Sequence, residues 1–299
     1  MSLRYKRNNI HIKEEEQQRI QDFPVLIGGC GIGSYIAECL LRMGFENLII
    51  IDGDIVELTN LNRQNYVEGD IGINKAMALK ERLMAINPEA KITAYPEFLD
   101  RNNLYSFDLN CKIAINALDF STDIPFLFDE YMAQKNIPVV HPYNLGWAGF
   151  LTVITPESHN LRSLNKEHHA FEINVGKFIV ERLQEKNIDT KWLEDFLSEY
   201  GEIAMDSPPP QLSLGLYLLA GMVCQVVFNI ATDKAIRVFL NRTIYLCVSK
   251  ISYNNYNNYY TFVLYLRLRA NLINKGYFVN NIEFQLHELD SRKLLFYET

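Results

Sequence analysis

The chain has 299 residues, of which 48% are hydrophobic and 22% are charged, which is typical of a globular protein with one large domain or two. A formal net charge of −7 argues against nucleic acid or an anionic membrane surface as the main partner. The first residues lack the apolar core of a signal peptide, and the five cysteines include no C-x-x-C pair. We therefore predict a cytoplasmic protein with reduced thiols, no membrane span and no structural zinc.

The first elements of the chain predict a strand–helix–strand unit. Residues 11–22 are polar and compatible with a helix, and residues 23–28 are an apolar run typical of a buried strand. Apolar residues then recur at helical spacing over Ile32–Met43, and Gly44 suits the C-terminus of that helix. A second buried strand is predicted over Leu48–Ile51. This arrangement is the opening of a dinucleotide-binding fold.

Helices and strands continue to alternate as far as residue 155. Two helices are predicted, over Asn74–Ile86 and Phe126–Asn136. Four strands are predicted, over Lys91–Tyr95, Cys111–Ala117, Pro138–His141 and Phe150–Thr155. The alternation predicts a doubly wound α/β fold with a mostly parallel sheet and a Rossmann-like nucleotide-binding unit.

The composition changes at Glu157, after which the chain is polar and rich in acidic residues up to residue 207. Two helices are predicted in that stretch, at about 175–186 and 190–199. The apolar segment Leu212–Ile230 contains glutamine and asparagine, which favours a buried core helix over a membrane span. Strands are predicted over residues 243–252 and 261–268.

These changes divide the chain into three parts. We predict a nucleotide-binding domain over residues 1–156 and a helical crossover segment over residues 157–210. A core-completing helix and a C-terminal extension that contains β-strands follow over residues 211–299.

A glycine cluster follows the first strand. Gly28, Gly29, Gly31 and Gly33 would let the backbone approach a phosphate at the N-terminus of the next helix. Cys30 interrupts the cluster at a position where close approach favours glycine. We expect the four glycines to contribute to a nucleotide site.

Side chains suited to a nucleotide follow the second strand. Asp52 stands at the strand end, where an acid accepts hydrogen bonds from ribose hydroxyls. Arg63 offers a planar fork for phosphate oxygens, and Lys75 offers a mobile point charge. Two cations after such an acid favour a triphosphate over a dinucleotide. Three further residues are expected to assist binding or to cap turns: Asp54, Asn60 and Gln64.

Asp119 ends a later strand and therefore faces the ligand crevice of an open α/β sheet. A carboxylate beside a triphosphate suits Mg²⁺, which binds through one or two acids and phosphate oxygens. His141 and Tyr143 follow the next strand, where they either line the acceptor side of the crevice or pack in the core.

The complete set of motifs resembles that of the E1-like activating enzymes, the ThiF/MoeB/HesA group that adenylates carboxylates. The family's Gly-x-Gly-Gly-x-Gly turn is matched by residues 28–33 in three of its four glycines. The other family motifs are matched by Asp52 and Asp54, by Asn60, Arg63 and Gln64, by Gly72 and Lys75, by Asn87 and Pro88, by Asp119, and by Arg4 to Arg7.

The resemblance implies an adenylyltransferase that uses ATP and Mg²⁺. It implies that Arg63, Lys75 and Asp119 act in catalysis, with the metal on Asp119, and that Arg7 reaches the ATP phosphates of the partner subunit in a homodimer. The implied substrate is the C-terminus of a ubiquitin-like or sulfur-carrier protein, or a peptide.

The chain also departs from parts of the family. Zinc-bearing members carry C-x-x-C pairs, and thioester-forming members keep a cysteine in the crossover segment, whereas residues 112–223 contain none. The resemblance therefore implies adenylation without a thioester on this chain. An NAD-dependent oxidoreductase and a non-catalytic nucleotide-binding scaffold subunit remain as alternatives. The oxidoreductase interpretation leaves Arg7, Arg63 and Lys75 without a role. Cys30 in the glycine turn and the absence of a crossover cysteine favour the scaffold subunit.

Overall fold

The computed structural model describes residues 2–107, 109–156, 161–163, 171–185, 189–203 and 208–235, and the backbone of residues 243–247. All of these residues belong to one compact unit, Met1–Ser249. The strand predicted over residues 261–268 lies outside the described residues.

The central sheet has seven strands, and the first five of them are parallel to one another. They are β1 Val25–Gly28, β2 Asn47–Ile51, β3 Lys91–Tyr95, β4 Ile113–Asn116, β5 Val139–Asn144, β6 Ala148–Ile154 and β7 Thr243–Cys247. Their order in the sheet is β3-β2-β1-β4-β5-β6-β7, and β6 and β7 pair antiparallel to their neighbours. The predicted α/β fold with a mostly parallel sheet is confirmed.

The register of the three central strands brings three chain segments to one edge of the sheet. Gly28 at the end of β1 is paired with Ile51 of β2 on one side and with Asn116 of β4 on the other. The residues that follow these strand ends are therefore neighbours. This is the edge where ligands bind in open α/β sheets.

Seven α-helices lie within the described residues. They are α1 Glu14–Gln21, α2 Ile32–Met43, α3 Lys75–Ile86, α4 Ile124–Gln134, α5 Phe171–Gln184, α6 Lys191–Ile203 and α7 Ser213–Ala231. Short 3-10 helices are present at Leu3–Asn8, Leu58–Asn60, Glu68–Asp70 and Leu161–Ser163.

Alternate residues of the central strands pack against helices on opposite faces of the sheet. Ile27 and Ile50 belong to a core cluster with side chains of α2, α3 and α7. Leu26 and Ile49 belong to a second cluster with side chains of α4. Because strand side chains alternate between faces, this division gives a doubly wound layer structure. A third cluster joins α5 and α6 to Phe150 of β6.

The helices and strands predicted within the described residues are present, and their ends differ from the predicted ones by up to four residues. The helix α2 has the predicted bounds, and Gly44 ends it with φ 113°. The strand β4 is shorter than the predicted Cys111–Ala117, and at its N-terminal side the Cys111 N–H bonds the Leu109 carbonyl in a turn. The helix α4 starts earlier than predicted, at Ile124, since Pro125 occupies its first turn.

Helix α7 is the one described helix that is long and apolar enough to cross a membrane by length and composition. Leu219, Val223 and Val227 along it are buried in the core cluster that also includes residues of α2 and β6. The predicted buried core helix is thus present.

Candidate functional site

An open cleft of about 1000 Å³ lies at the edge of the sheet where β1, β2 and β4 end. Its lining includes nine of the residues singled out in the sequence: Gly29, Gly31, Asp52, Asp54, Asn60, Arg63, Gln64, Lys75 and Asp119. Gly28, Gly33 and Arg7 are not part of the lining. The fold thus brings together most of the predicted site from four separate stretches of chain.

The glycine turn packs its backbone directly against the segment that follows β4. Gly29 has φ +90°, and a Cβ atom there would lie 2.2 Å from the carbonyl oxygen of Ala117. Gly33 allows close helix–strand packing instead, because its Cβ would lie 2.6 Å from Ile27 Cγ2. Gly28 likewise faces packed side-chain atoms, those of Leu118.

Cys30 leaves the cleft open, because its side chain is fully buried in the core. Its carbonyl accepts a 2.8 Å hydrogen bond from the Tyr66 hydroxyl. Burial also raises the pKa of the Cys30 thiol, so the group stays neutral. The departure from the glycine pattern at this position therefore changes core packing and does not narrow the cleft.

Asp52 braces the glycine turn from the end of β2. One carboxylate oxygen accepts the Cys30 N–H at 2.6 Å, and the other accepts the Asp54 N–H at 2.8 Å. Burial raises the pKa of Asp52, which these two hydrogen bonds and the Lys75 charge oppose. Each carboxylate oxygen keeps a further lone pair, so the group can still accept from a ribose hydroxyl.

Lys75 is the first residue of α3, and its side chain is buried against the cleft. Its ammonium lies 2.9 Å from the Asp54 carboxylate. Asn74 links the start of α3 to the residues that follow β2. Its side chain accepts the Met77 N–H as the helix N-cap and donates to the Asp52 and Asp54 carbonyls. Asn74 is not among the residues predicted for the site, although an asparagine before a helix start is a recognised capping signal.

Arg63 is partly buried and already hydrogen-bonded. Its Nε donates to Gln211 Oε1 at 2.8 Å, and its Nη1 donates to the Thr59 carbonyl at 3.0 Å and to Asn62 Oδ1 at 2.9 Å. Burial lowers the pKa of Arg63, but a guanidinium remains charged at any ordinary pH. Arg63 therefore presents its charge to the cleft from a fixed position.

Asn60 and Gln64 have different surroundings. Asn60 caps a turn, since its Oδ1 accepts the Glu57 N–H at 3.0 Å. Gln64 is buried, and its Oε1 has no hydrogen-bond partner among the described residues. A Cβ on Gly31 would lie 3.3 Å from Gln64 Nε2, so the amide stands beside the N-terminus of α2. An unpaired buried amide at that place fits a polar ligand in the cleft.

Asp119 is exposed in the cleft, and one of its oxygens accepts the Ser121 N–H at 2.8 Å. Glu172 of α5 also lines the cleft, and burial, together with the Asp119 charge, raises its pKa. Among the described residues no cation is paired with either acid, and no group of three or more metal-ligating side chains occurs. One or two acids with phosphate oxygens match the way Mg²⁺ binds.

A place for Glu172 in the cleft could not be predicted from the sequence, since this residue belongs to the polar segment that is predicted to form a separate crossover. Only the packing of α5 over the sheet edge places it there.

The remaining candidates divide between the cleft and the core. Tyr143 lines the cleft, whereas His141 is fully buried behind it. None of the described cysteines, Cys30, Cys39, Cys111 and Cys224, lines the cleft, and all of them are free thiols. Arg7 is exposed on the 3-10 helix Leu3–Asn8, outside the cleft lining of its own chain.

The chain belongs to the ThiF family, whose sequence model matches residues 5–271. Two curated relatives illustrate the match. The tRNA threonylcarbamoyladenosine dehydratase of Escherichia coli (strain K12) is 33% identical over 117 residues, which are 38% of this chain and 43% of the relative. The sulfur carrier protein ThiS adenylyltransferase of Bacillus subtilis (strain 168) is 28% identical over 165 residues, 53% of this chain and 48% of the relative. The chain thus spans about half the length of these relatives.

Solved structures share the fold at lower sequence identity. A crystal structure of E. coli MccB with ATP superposes with a TM-score of 0.62 at 20% identity, covering 83% of this chain and 70% of that one. A structure of PaaA superposes with a TM-score of 0.56 at 21% identity, covering 79% and 64%. These similarities place the chain in the same α/β architecture.

Proposed function

We propose that this ThiF-family chain is an E1-like adenylyltransferase, which uses ATP and Mg²⁺ to activate a carboxylate of a carrier protein or peptide. The observation that carries the proposal is the convergence of Lys75, Arg63 and Asp119 on one cleft beside the glycine turn. A ribose-type acid, two cations and a metal-binding carboxylate are the groups that a nucleoside triphosphate requires.

In the proposed reaction a substrate carboxylate oxygen attacks the α-phosphorus of ATP. A new O–P bond forms, the bond between the α-phosphorus and the bridging oxygen breaks, and pyrophosphate leaves. The nucleophile is already ionised, so no general base is needed, and catalysis consists of positioning and charge neutralisation. When bound, Mg²⁺ neutralises charge on the phosphates, and Asp119 would hold it.

The chain's own residues have distinct tasks in this scheme. Asp52 binds the ribose while it braces the turn through the Cys30 N–H. Lys75 and Arg63 bind phosphate oxygens from positions that Asp54 and Gln211 already fix. Asn60 and Gln64 complete the polar wall of the cleft.

We further propose a homodimer in which Arg7 acts on the partner's nucleotide. Arg7 is exposed but absent from the lining of its own cleft. Six apolar side chains are exposed over the stretch that follows β2 and over the first turn of α3: Ile55, Leu58, Val67, Ile71, Ile73 and Met77. Exposed apolar patches of this kind commonly mark protein interfaces.

We also propose that the adenylate is not converted to a thioester on a cysteine of this chain. None of the described cysteines lines the cleft, and the sequence places no cysteine between residues 112 and 223. The free thiols of the described cysteines also support a reducing, cytoplasmic location.

ATP–pyrophosphate exchange with a panel of carrier proteins and peptides tests this function and its substrate together. Exchange that depends on ATP, Mg²⁺ and one member of the panel is the expected result. Thermal melting with ATP·Mg²⁺ and with NAD separates the alternatives, because a bound ligand stabilises the folded chain. Stabilisation by NAD alone would favour the oxidoreductase, and nucleotide binding without exchange on any carboxylate would favour the scaffold subunit.

A further inference from the structure

A buried pair of titratable side chains lies directly behind the cleft and has no part in the reaction described above. His141 of β5 and Asp129 of α4 have side-chain exposures of 1% and 3%, and their Nε2 and Oδ2 atoms are 3.0 Å apart. Neither atom has a hydrogen-bond partner among the described residues. Such a pair is costly to bury, and apolar residues of similar volume often stabilise a core as well or better.

The pair is connected to the cleft through Asn116, the last residue of β4. The other oxygen of Asp129 accepts a 3.0 Å hydrogen bond from Asn116 Nδ2, and the same amide donates to the Pro125 carbonyl at 2.8 Å. Asn116 is 2% exposed and lines the cleft. Its amide is therefore fixed from behind, on the side away from the ligand.

Asn116 in turn contacts the segment that leads to Asp119. Its Oδ1 accepts the Leu118 N–H at 3.4 Å, one residue before the predicted metal ligand. The Ala117 N–H bonds the Gly28 carbonyl at 2.8 Å, so the same segment also contacts the glycine turn. These contacts form a continuous series from the buried pair to the segment that carries Asp119.

We propose that His141 and Asp129 are positioning residues, which hold Asn116 and the segment after it so that the Asp119 carboxylate binds Mg²⁺ beside the glycine turn. This inference rests on the proposed function. His141 lies against one oxygen of Asp129, while the other oxygen accepts the hydrogen bond from Asn116. Supporting partners of metal ligands commonly change metal affinity by 10–100-fold when they are removed.

The test compares Asp129→Asn with the wild type in two measurements. ATP binding is measured by calorimetry in EDTA and in Mg²⁺, and exchange is measured across a Mg²⁺ titration. We expect unchanged binding in EDTA, while the Mg²⁺ concentration for half-maximal exchange rises about tenfold. Thr152→Val is the matched control, because Thr152 is buried on β6 and paired with His141 in the sheet. It should leave the Mg²⁺ dependence unchanged.

A second variant provides the test if Asp129→Asn fails to fold. Asp129→Leu/His141→Leu replaces both polar side chains with apolar ones, so neither is left buried without the other, and the variant should melt near the wild-type temperature with the same Mg²⁺ defect. Normal Mg²⁺ dependence in either folded variant overturns the proposal. If the wild type shows no exchange, the proposed function fails, and positioning is then judged by the Mg²⁺-dependent gain in ATP binding. A wild type without any such gain overturns the positioning role as well.

Discussion

The Lys75 ammonium lies 2.9 Å from the Asp54 carboxylate, which joins the start of α3 to the end of β2. The lysine side chain is 10% exposed, whereas that of Asp54 is 54% exposed. The cation is therefore held at the wall of the cleft, while its acidic partner remains open to solvent. A phosphate that enters the cleft meets a lysine whose position is already fixed, so little side-chain entropy is lost on binding.

Replacement of this lysine should remove a charge that acts on the phosphates. We expect Lys75→Ala to slow ATP–pyrophosphate exchange about a hundredfold or more, equivalent to ~3 kcal/mol in the activation barrier. Lys80→Ala is the control, because Lys80 belongs to the same helix but not to the cleft lining. Exchange at the wild-type rate in Lys75→Ala would remove Lys75 from the proposed mechanism.

A role for Arg7 on the partner's nucleotide predicts complementation between two inactive variants. In a mixed dimer of Arg7→Ala and Lys75→Ala chains, one of the two sites has both an intact lysine and an intact arginine. Co-refolding equal amounts should therefore restore about a quarter of the wild-type exchange rate, since half of randomly formed dimers are mixed.

The complementation experiment needs each variant alone as its reference. No gain on mixing, when successive purification on two different affinity tags confirms mixed dimers, contradicts a role in trans. A monomeric wild type contradicts the homodimer itself.

Cys30 should affect stability rather than nucleotide binding. Cys30→Gly restores the family's glycine pattern but deletes a fully buried side chain, which should cost about 1–3 kcal/mol in the free energy of unfolding. Urea unfolding measures that loss. The affinity for ATP·Mg²⁺ by calorimetry should change by less than about threefold, or under 1 kcal/mol.

Asp52→Ala is the matched comparison, because Asp52 accepts the Cys30 N–H from inside the cleft. It should weaken ATP binding where Cys30→Gly does not. Much tighter ATP binding by Cys30→Gly would show that the cysteine narrows the site after all.

The parts of the fold that depend on local patterns were predictable from the sequence. The helix α2 follows from apolar spacing and a terminal glycine, and it has the predicted bounds. Asp52 and Asp119 were predicted for one cleft from their places after parallel strands, and Lys75 from its charge and the family motif, and all three line that cleft. Their individual roles stay predictions, as do Arg7 in trans and the three-part division of the chain.

Contacts between distant elements could not be predicted in the same way. Glu172 enters the cleft only because α5 packs over the sheet edge, and no spacing in the sequence announces that packing. The 3.0 Å approach of His141 to Asp129 depends equally on how α4 lies against β5. The sequence left His141 open between cleft and core, and packing alone places it behind the cleft.

The contact between Gly29 and the Ala117 carbonyl has a consequence for how this protein can change. There is no room for even one carbon atom between the two segments, so the spacing from the turn to Asp119 is a property of main-chain pairing in the sheet. Rotamer changes cannot relax this main-chain contact, and any side chain introduced at Gly29 would force the two segments apart. By contrast, α5 and α6 contribute side chains to the cleft lining, so substitutions in these helices would change the shape of the cleft without moving the glycine turn.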